Sequence, residues 1–272
     1  MHSDYLTAAL ITEVETIARE AGAAIMDIYG RDFSVEQKAD QSPLTEADAA
    51  AHRLIDARLN QLPLRLPVLS EEDTDQFGGA DAQGRYWLVD PLDGTKEFIK
   101  RNGEFTVNIA LIEQGAPVLG VVYAPALELC YTAARGFGAT KTDAEGNKRP
   151  LKVAEHQAGT PWRVVGSRSH AGEAMPLLLE KLGKHELVAM GSSLKLCLVA
   201  EGAADVYPRL GPTSLWDTAA AHCVAEQAGG RVIQLDGRPL GYANPQQLLN
   251  PHFLVVGNSN QRWPALFNRC EQ

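Results

Sequence analysis

The chain has 272 residues, 45% of them hydrophobic, enough to bury a substantial core in one large domain or two small, closely packed ones. Its net charge of −9 weighs against an electrostatic grip on bulk nucleic acid, which needs a basic footprint, and suits cation binding. Cys130, Cys197, Cys223 and Cys270 form no CxxC pair, so neither a zinc site nor a disulfide framework is suggested. Met1-His2-Ser3-Asp4-Tyr5 has no signal-peptide character, and no apolar run reaches the ~20 residues of a membrane span, which predicts a cytoplasmic protein.

Leu6, Leu10, Val14, Ile17, Ala21, Ile25 and Ile28 recur at helical spacing with Gly30 as a stop, predicting a long opening helix. A strand-like piece at Phe33-Ser34-Val35 precedes a second amphipathic helix, from Pro43 to Leu62. Strand texture follows, punctuated by Gly and Pro: Val68-Leu69, Tyr86 to Val89, Thr106 to Ile112, Val118 to Tyr123 and Leu129 to Thr132. Gly138 to Thr142 and Leu151 to Val153 flank the polar turn Asp143 to Asn147 and read as a hairpin closing a meander. From Arg163 the pattern alternates: strand Arg163 to Val165, helix Ala174 to Leu182, strand Leu187 to Met190, helix Leu194 to Glu201, strand Asp205 to Tyr207, helix Asp217 to Gln227, strand Arg231 to Gln234. This combination of α+β and α/β halves predicts a layered α-β-α-β-α sandwich. Its boundary falls near residues 155–162, with units at 1–158 and 159–272.

Asp90-Pro91-Leu92-Asp93-Gly94-Thr95 ends the apolar strand Tyr86-Trp87-Leu88-Val89 and carries the most chemistry. Carboxylates at i and i+3, with Pro91 stiffening the turn and Gly94 admitting close backbone approach, can converge on hard cations; the plain alternative is a surface Pro-Asp-Gly turn. Glu71 in Ser70-Glu71-Glu72-Asp73 ends another strand, or lies in a solvated acidic loop. Thr45 and Asp48 open the second helix, where capping and first-turn roles suffice. Asp217, between Trp216 and an alanine-rich helix start, is either a helix N-cap, a functional acid, or both.

In this order and at these distances, the four segments resemble the inositol monophosphatase-like superfamily of metal-dependent phosphomonoesterases, from about Ile17 to Val256. Lys96-Glu97-Phe98 stands where inositol monophosphatases usually show Thr-Asn-Phe, and Gly191-Ser192-Ser193-Leu194-Lys195 carries a lysine where they have an apolar residue. Both differences resemble the bacterial branch of 3′(2′),5′-bisphosphate nucleotidases, in which a second phosphate needs such a cation.

The resemblance implies a five-layer fold and Mg²⁺ dependence, with two or three ions held by Glu71, Asp90, Asp93, Asp217 and the Leu92 carbonyl, Asp90 bridging two of them. It implies Thr95 and Asp48 as a catalytic pair, the hydroxyl touching the nucleophilic water and the carboxylate accepting its proton. Gly94 and Thr95 N–H groups would hold the scissile phosphate. Substrate contacts implied are Glu71, Leu92, Asp93, Gly94, Thr95, His170, Ser192, Lys195, Arg209 and Asp217. The plainer alternatives, which the motif context disfavours, are His170 as a loop histidine, Lys195 as a solvated helix charge and Arg209 as a structural partner of a nearby acid. Ser167 and His170 do not imply a Ser-His-Asp hydrolase, because no nucleophile elbow accompanies them.

Ala221 departs from the family's usual glycine, a matter of helix packing rather than metal binding. The implied activity is hydrolysis of 3′-phosphoadenosine 5′-phosphate to AMP in sulfur assimilation, with inhibition by Li⁺. An inositol or sugar monophosphatase, a catalytically idle nucleotide- or metal-binding relative, and 3′-end processing of nucleic acid are the competing readings. The expected partner is a small nucleotide rather than a nucleic-acid polymer, in a monomer or a homodimer. Bacterial relatives are placed peripherally at the inner membrane, but nothing in this chain resembles an amphipathic anchor.

Overall fold

The computed structural model describes residues 5–31, 43–166 and 174–267. The strand-like piece at Phe33-Ser34-Val35 lies outside them. Helix α1 (Ala8–Tyr29) starts where the Thr7 hydroxyl accepts the Leu10 N–H at 3.1 Å. It ends at Gly30, which stays right-handed at φ −69° while its N–H closes on the Met26 and Ile28 carbonyls, so the stop is not a left-handed glycine cap. Val14, Ile17, Ala18, Ala21 and Ile25 are fully buried on one face, against which α2 (Pro43–Leu59) packs. The second helix ends at Leu59 rather than Leu62, because the chain tightens into turns in which Gln61 bonds Arg58 and Leu62 bonds Leu59.

The predicted meander is a seven-stranded sheet in chain order: β1 (Val68–Ser70), β2 (Arg85–Asp93), β3 (Thr106–Glu113), β4 (Ala116–Ala124), β5 (Leu129–Ala134), β6 (Gly138–Thr142) and β7 (Lys148–Pro150). A short helix, α3 (Thr95–Ile99), links β2 to β3. Every pair is antiparallel except β1–β2, which runs parallel with Ser70 opposite Val89. The hairpin closes earlier than expected. Asp143 accepts N–H bonds from Gly146 and Asn147, so Lys148 to Pro150 pair with β6, while Leu151 and Val153 leave the sheet and bury their side chains in the core.

The second half contributes β8 (Trp162–Gly166), α4 (Ala174–Leu182), β9 (His185–Ala189), α5 (Leu194–Ala200), β10 (Val206–Arg209), α6 (Ala219–Gln227), β11 (Arg231–Gln234) and β12 (Phe253–Val256), with sheet order β11-β12-β10-β8-β9. The parallel pairs β8–β9 and β8–β10 are those that alternation predicts. The ninth-strand expectation, Leu187 to Met190, shifts toward His185. Alternation does not reveal β12, a four-residue apolar run, wholly buried, that inserts antiparallel between β10 and β11.

Alternation along β2 and β3 divides the core. Trp87, Val89, Ile109 and Leu111 face α1 and α2, whereas Tyr86, Leu88, Ala110 and Ile112 face α5 and α6. Val164, Val206, Leu254 and Val256 form the outer face of the second sheet beneath Leu179 and Leu182 of α4. The order is α-β-α-β-α, as the sequence predicts. In α6, Ala221 is fully buried and the helix runs through it unbroken. The approach of α6 to the first sheet is set by Gly120 of β4, where an added Cβ would stand 2.2 Å from the Ala220 carbonyl oxygen and 2.9 Å from Cys223 Cβ. Gly120→Ala is therefore expected to cost about 1–3 kcal/mol through overpacking, read as a lower urea midpoint at unchanged m-value.

Candidate active site

The site is built on an irregularity in β2. Asp90 pairs with Asn108 and Asp93 with Thr106, so three steps on β2 match two on β3 and one residue is extra. Pro91 sits in this bulge, and the Asp90 Oδ1 accepts the Leu92 N–H at 3.1 Å in an Asx-type turn. The parity of the strand flips there: Leu92 is buried with Trp87 and Val89 on the α1–α2 face, which leaves Asp90 and Asp93 together on the other. Parallel pairing of β1 places Glu71 at the same strand end, its N–H bonded to the Val89 carbonyl at 3.2 Å. From the helix layer, Leu215 and Trp216 are buried beneath Asp217, whose Oδ2 accepts the Ser214 N–H at 3.0 Å. The N-cap of α6 is Thr218, so the capping alternative for Asp217 does not hold.

Oxygens of Glu71, Asp90 and Asp217 lie within 4.8 Å of one another. Asp93 adjoins this trio as the strongest charged neighbour of each member, and its Oδ2 accepts the Ser193 N–H at 2.5 Å. Burial lifts the Asp90 carboxyl far above the carboxylate range, with Asp93, Glu71, Asp217 and Asp48 adding to the effect. Desolvation, then Asp93, raises Glu71. Burial, then Asp93, pushes Asp217 up to about 7. Burial raises Asp93 as well, against the pull of Lys195, the Ser193 N–H and Asn108. In α2, burial followed by Glu72 and Glu71 pushes Asp48 up to about 8.

A metal would reverse this logic. Asp90 Oδ2 is buried with no hydrogen-bond partner, and the converging donors are all carboxylate oxygens, the set that a hard divalent cation takes. The residues therefore fit Mg²⁺.

Gly94 is the N-cap of α3 in the left-handed region (φ 104°), and a Cβ there would stand 3.2 Å from the Glu104 carbonyl and Phe105 Cα. Phe98, buried against Tyr29 and Phe105, pins α3 to the core, leaving Thr95 exposed at its first turn. Asp48 and Thr95 lie on adjacent helices and, among the described residues, no hydrogen bond joins them. Ser192, Lys195 and Arg209 do converge with Asp93 and Asp217, lining one cavity of about 60 Å³. Arg209 is folded onto its own loop, donating to Thr213 Oγ1 and the Pro212 carbonyl. Lys195 lies over the Tyr207 ring at 6.0 Å; burial lowers its ammonium pKa, opposed chiefly by Asp93. His170 lies outside the described residues.

Sequence reasoning passed over Ser193, Asn108 and the His52–Ser70 bond (3.0 Å) that ties α2 to the strand before Glu71. The doubled serine after Gly191 is the one sequence signal that pointed to the first of these.

Residues 7–267 match the family model described as the inositol monophosphatase family. The chain belongs to that family. It is 51% identical over 248 residues, 90% of this chain and 99% of its relative, to the 3′(2′),5′-bisphosphate nucleotidase CysQ of Escherichia coli strain K12. Among solved structures, CysQ from Bacteroides thetaiotaomicron matches with TM-score 0.83 and 42% identity, covering 94% of this chain and 99% of the other. Inositol monophosphatase from Anabaena (Nostoc) sp. PCC 7120 matches with TM-score 0.74 and 26% identity, covering 95% and 93%.

Crowding of like charge makes a measurable prediction for this family member. Asp90→Asn keeps the acceptor for the Leu92 N–H and removes the cost of burying an acid that must take up a proton or bear a repelled charge on folding, so the metal-free variant is expected to melt above the parent chain, by about 2–4 °C for each kcal/mol relieved. The rise in melting temperature that Mg²⁺ confers on the parent should be largely absent in the variant. Scanning fluorimetry with and without Mg²⁺ reads both; a variant that melts lower and keeps the full Mg²⁺ gain would contradict the cluster's role.

Proposed function

We propose that the chain is a Mg²⁺-dependent 3′(2′),5′-bisphosphate nucleotidase that hydrolyses 3′-phosphoadenosine 5′-phosphate to AMP and phosphate in sulfur assimilation. The observation that carries this reading is the single cavity in which the acids Asp93 and Asp217 meet the cations Lys195 and Arg209. An acidic wall suits metal-assisted attack at one phosphate, and a cationic wall suits a second phosphate on the same small molecule. An inositol monophosphate has no second phosphate to meet those cations.

In this mechanism Glu71, Asp90, Asp93, Asp217 and the Leu92 carbonyl would hold two or three Mg²⁺ ions. When bound, Mg²⁺ lowers the pKa of the attacking water and offsets charge on the leaving oxygen. Asp48 accepts the proton of that water, whose orientation the Thr95 hydroxyl fixes; such general-base help is worth about 10²–10⁴-fold. The Gly94 and Thr95 N–H groups bind the scissile phosphate at the start of α3, a turn that the missing Gly94 side chain lets pack closely on Glu104 and Phe105. Ser192, Lys195, Arg209 and His170 bind the remainder of the nucleotide. The same reading divides the labour between 1–158, which supplies most metal ligands, and 159–272, which supplies the nucleotide contacts.

Among the described residues no helix is long and apolar enough to cross a membrane. Cys130, Cys197 and Cys223 are buried free thiols, which supports the proposal that the enzyme works in the reducing cytoplasm. Li⁺ inhibition belongs to the same proposal.

Phosphate release from 3′-phosphoadenosine 5′-phosphate, inositol 1-phosphate and fructose 1,6-bisphosphate, with and without Mg²⁺, tests the assignment. The bisphosphate nucleotide is expected to give the highest kcat/KM, and a preference for inositol phosphate would overturn the choice. Lys195→Ala is expected to reduce kcat/KM for the nucleotide by about 10–100-fold, the value of a lost charge-assisted hydrogen bond, and to affect inositol 1-phosphate far less. Asp93→Asn is expected to nearly abolish turnover while the circular dichroism spectrum stays that of the parent; unchanged turnover would refute the metal assignment.

A further inference from the structure

Gly191, Ser192 and Ser193 lead into α5 and carry the proposed nucleotide contacts Ser192 and Lys195. This turn is fastened on both sides. The Gly191 N–H donates to the Glu104 carboxylate at 2.7 Å, and the Ser193 N–H donates to Asp93 Oδ2 at 2.5 Å. Between these bonds Ser192, buried and not a glycine, sits in the left-handed region at φ 45°, a conformation that surrounding contacts must hold.

The Ser193 side chain supplies the anchor. Its hydroxyl donates to Asn108 Oδ1 at 2.8 Å and meets the Thr106 hydroxyl at 2.9 Å, in a pocket where all three residues are at most 2% exposed. Asn108 is the cross-strand partner of Asp90, and Thr106 that of Asp93. A buried trio of polar groups on the middle helix layer and on β3 thus fixes the peptide N–H that aims Asp93. The Ser193 hydroxyl is the atom that links the other two, so removing it loosens the set.

We propose that Ser193 is a positioning residue for the metal centre: anchored by Asn108 and Thr106, it holds the Asp93 carboxylate through its backbone N–H and locks it to the turn that grips the nucleotide. The inference rests on the metal reading of Asp93 and does not depend on which phosphate ester is cleaved. Any movement of the turn toward or away from substrate moves the Asp93 oxygens with it.

The test uses Mg²⁺ alone, titrated calorimetrically into the nucleotide-free protein. Ser193→Ala is expected to weaken Mg²⁺ binding by about 10–100-fold, the range for residues that orient metal ligands. Asn108→Ala, which removes the acceptor of that hydroxyl and also the pull of Asn108 on Asp93, should weaken it too. The double variant should lose less affinity than the two single losses combined, because both variants remove the Ser193–Asn108 link. Val199→Ala, a fully buried apolar change six residues after Ser193 that removes no hydrogen bond of this trio, should lower the melting temperature and leave Mg²⁺ affinity unchanged. Native Mg²⁺ affinity in Ser193→Ala, additive losses in the double variant, or an equal loss in Val199→Ala would each overturn the proposal. A parent chain that binds no Mg²⁺ would instead bring down the metal reading, and this inference with it.

Discussion

One extra residue in β2 governs the geometry of the site. In a regular strand, side chains three apart point to opposite faces, so Asp90 and Asp93 would be separated by the thickness of the sheet. The bulge at Pro91-Leu92 inverts the alternation, sends Leu92 to the α1–α2 face and returns Asp93 to the face that Asp90 occupies. Gly94 then turns sharply enough, at φ 104°, to start α3 immediately after. Removal of the bulge would leave the same residues in the same order but turn Asp93 away from the face that Asp90 occupies.

Everything else in the molecule brings distant groups to that point. Parallel pairing of β1 points Glu71 toward the same end of the sheet as Asp90, which an antiparallel strand would not do. The middle helix layer delivers Asp217 at the head of α6 and the Ser193 peptide at the head of α5. The result is a set of carboxylates that repel one another in a partly desolvated cavity, each raised in pKa by burial and by its neighbours. The fold holds them there because their strands and helices are fixed by apolar contacts on both faces of the sheet, remote from the charges. A divalent cation entering this cluster would meet oxygens that the fold has already brought together.

Much of this was legible in the sequence, for identifiable reasons. The opening helix, the meander and the α/β half follow from periodicities that burial enforces, and the helix Ala174 to Leu182 and the strand Arg231 to Gln234 fall where the pattern places them. Helix ends shift by a turn or less where local bonds finish them, as at Leu59. The strand Phe253–Val256 escaped because a short, fully buried run lacks alternation to distinguish it. Among site residues, the acids were recognisable as an ordered set, but no pattern of residue types announces a bulge, and Pro91 alone is compatible with an ordinary turn. Ser193 was hidden for a different reason: it meets Asp93 through a backbone N–H, which every residue but proline has, and its side chain bonds Asn108 rather than the acid.

Gly120 carries an implication for how such a chain can change over generations. It lies in β4, two strands from the one that bears Asp90, and contributes only a hydrogen atom to its contact with Ala220. That hydrogen sets how closely α6 lies on the sheet, and Asp217 stands just before the first turn of α6. A drifting sequence that acquired any side chain at this position would displace a site carboxylate without altering a single residue in the cavity. The territory under selection for catalysis therefore extends through the sheet, to a residue that no inventory of functional groups would include.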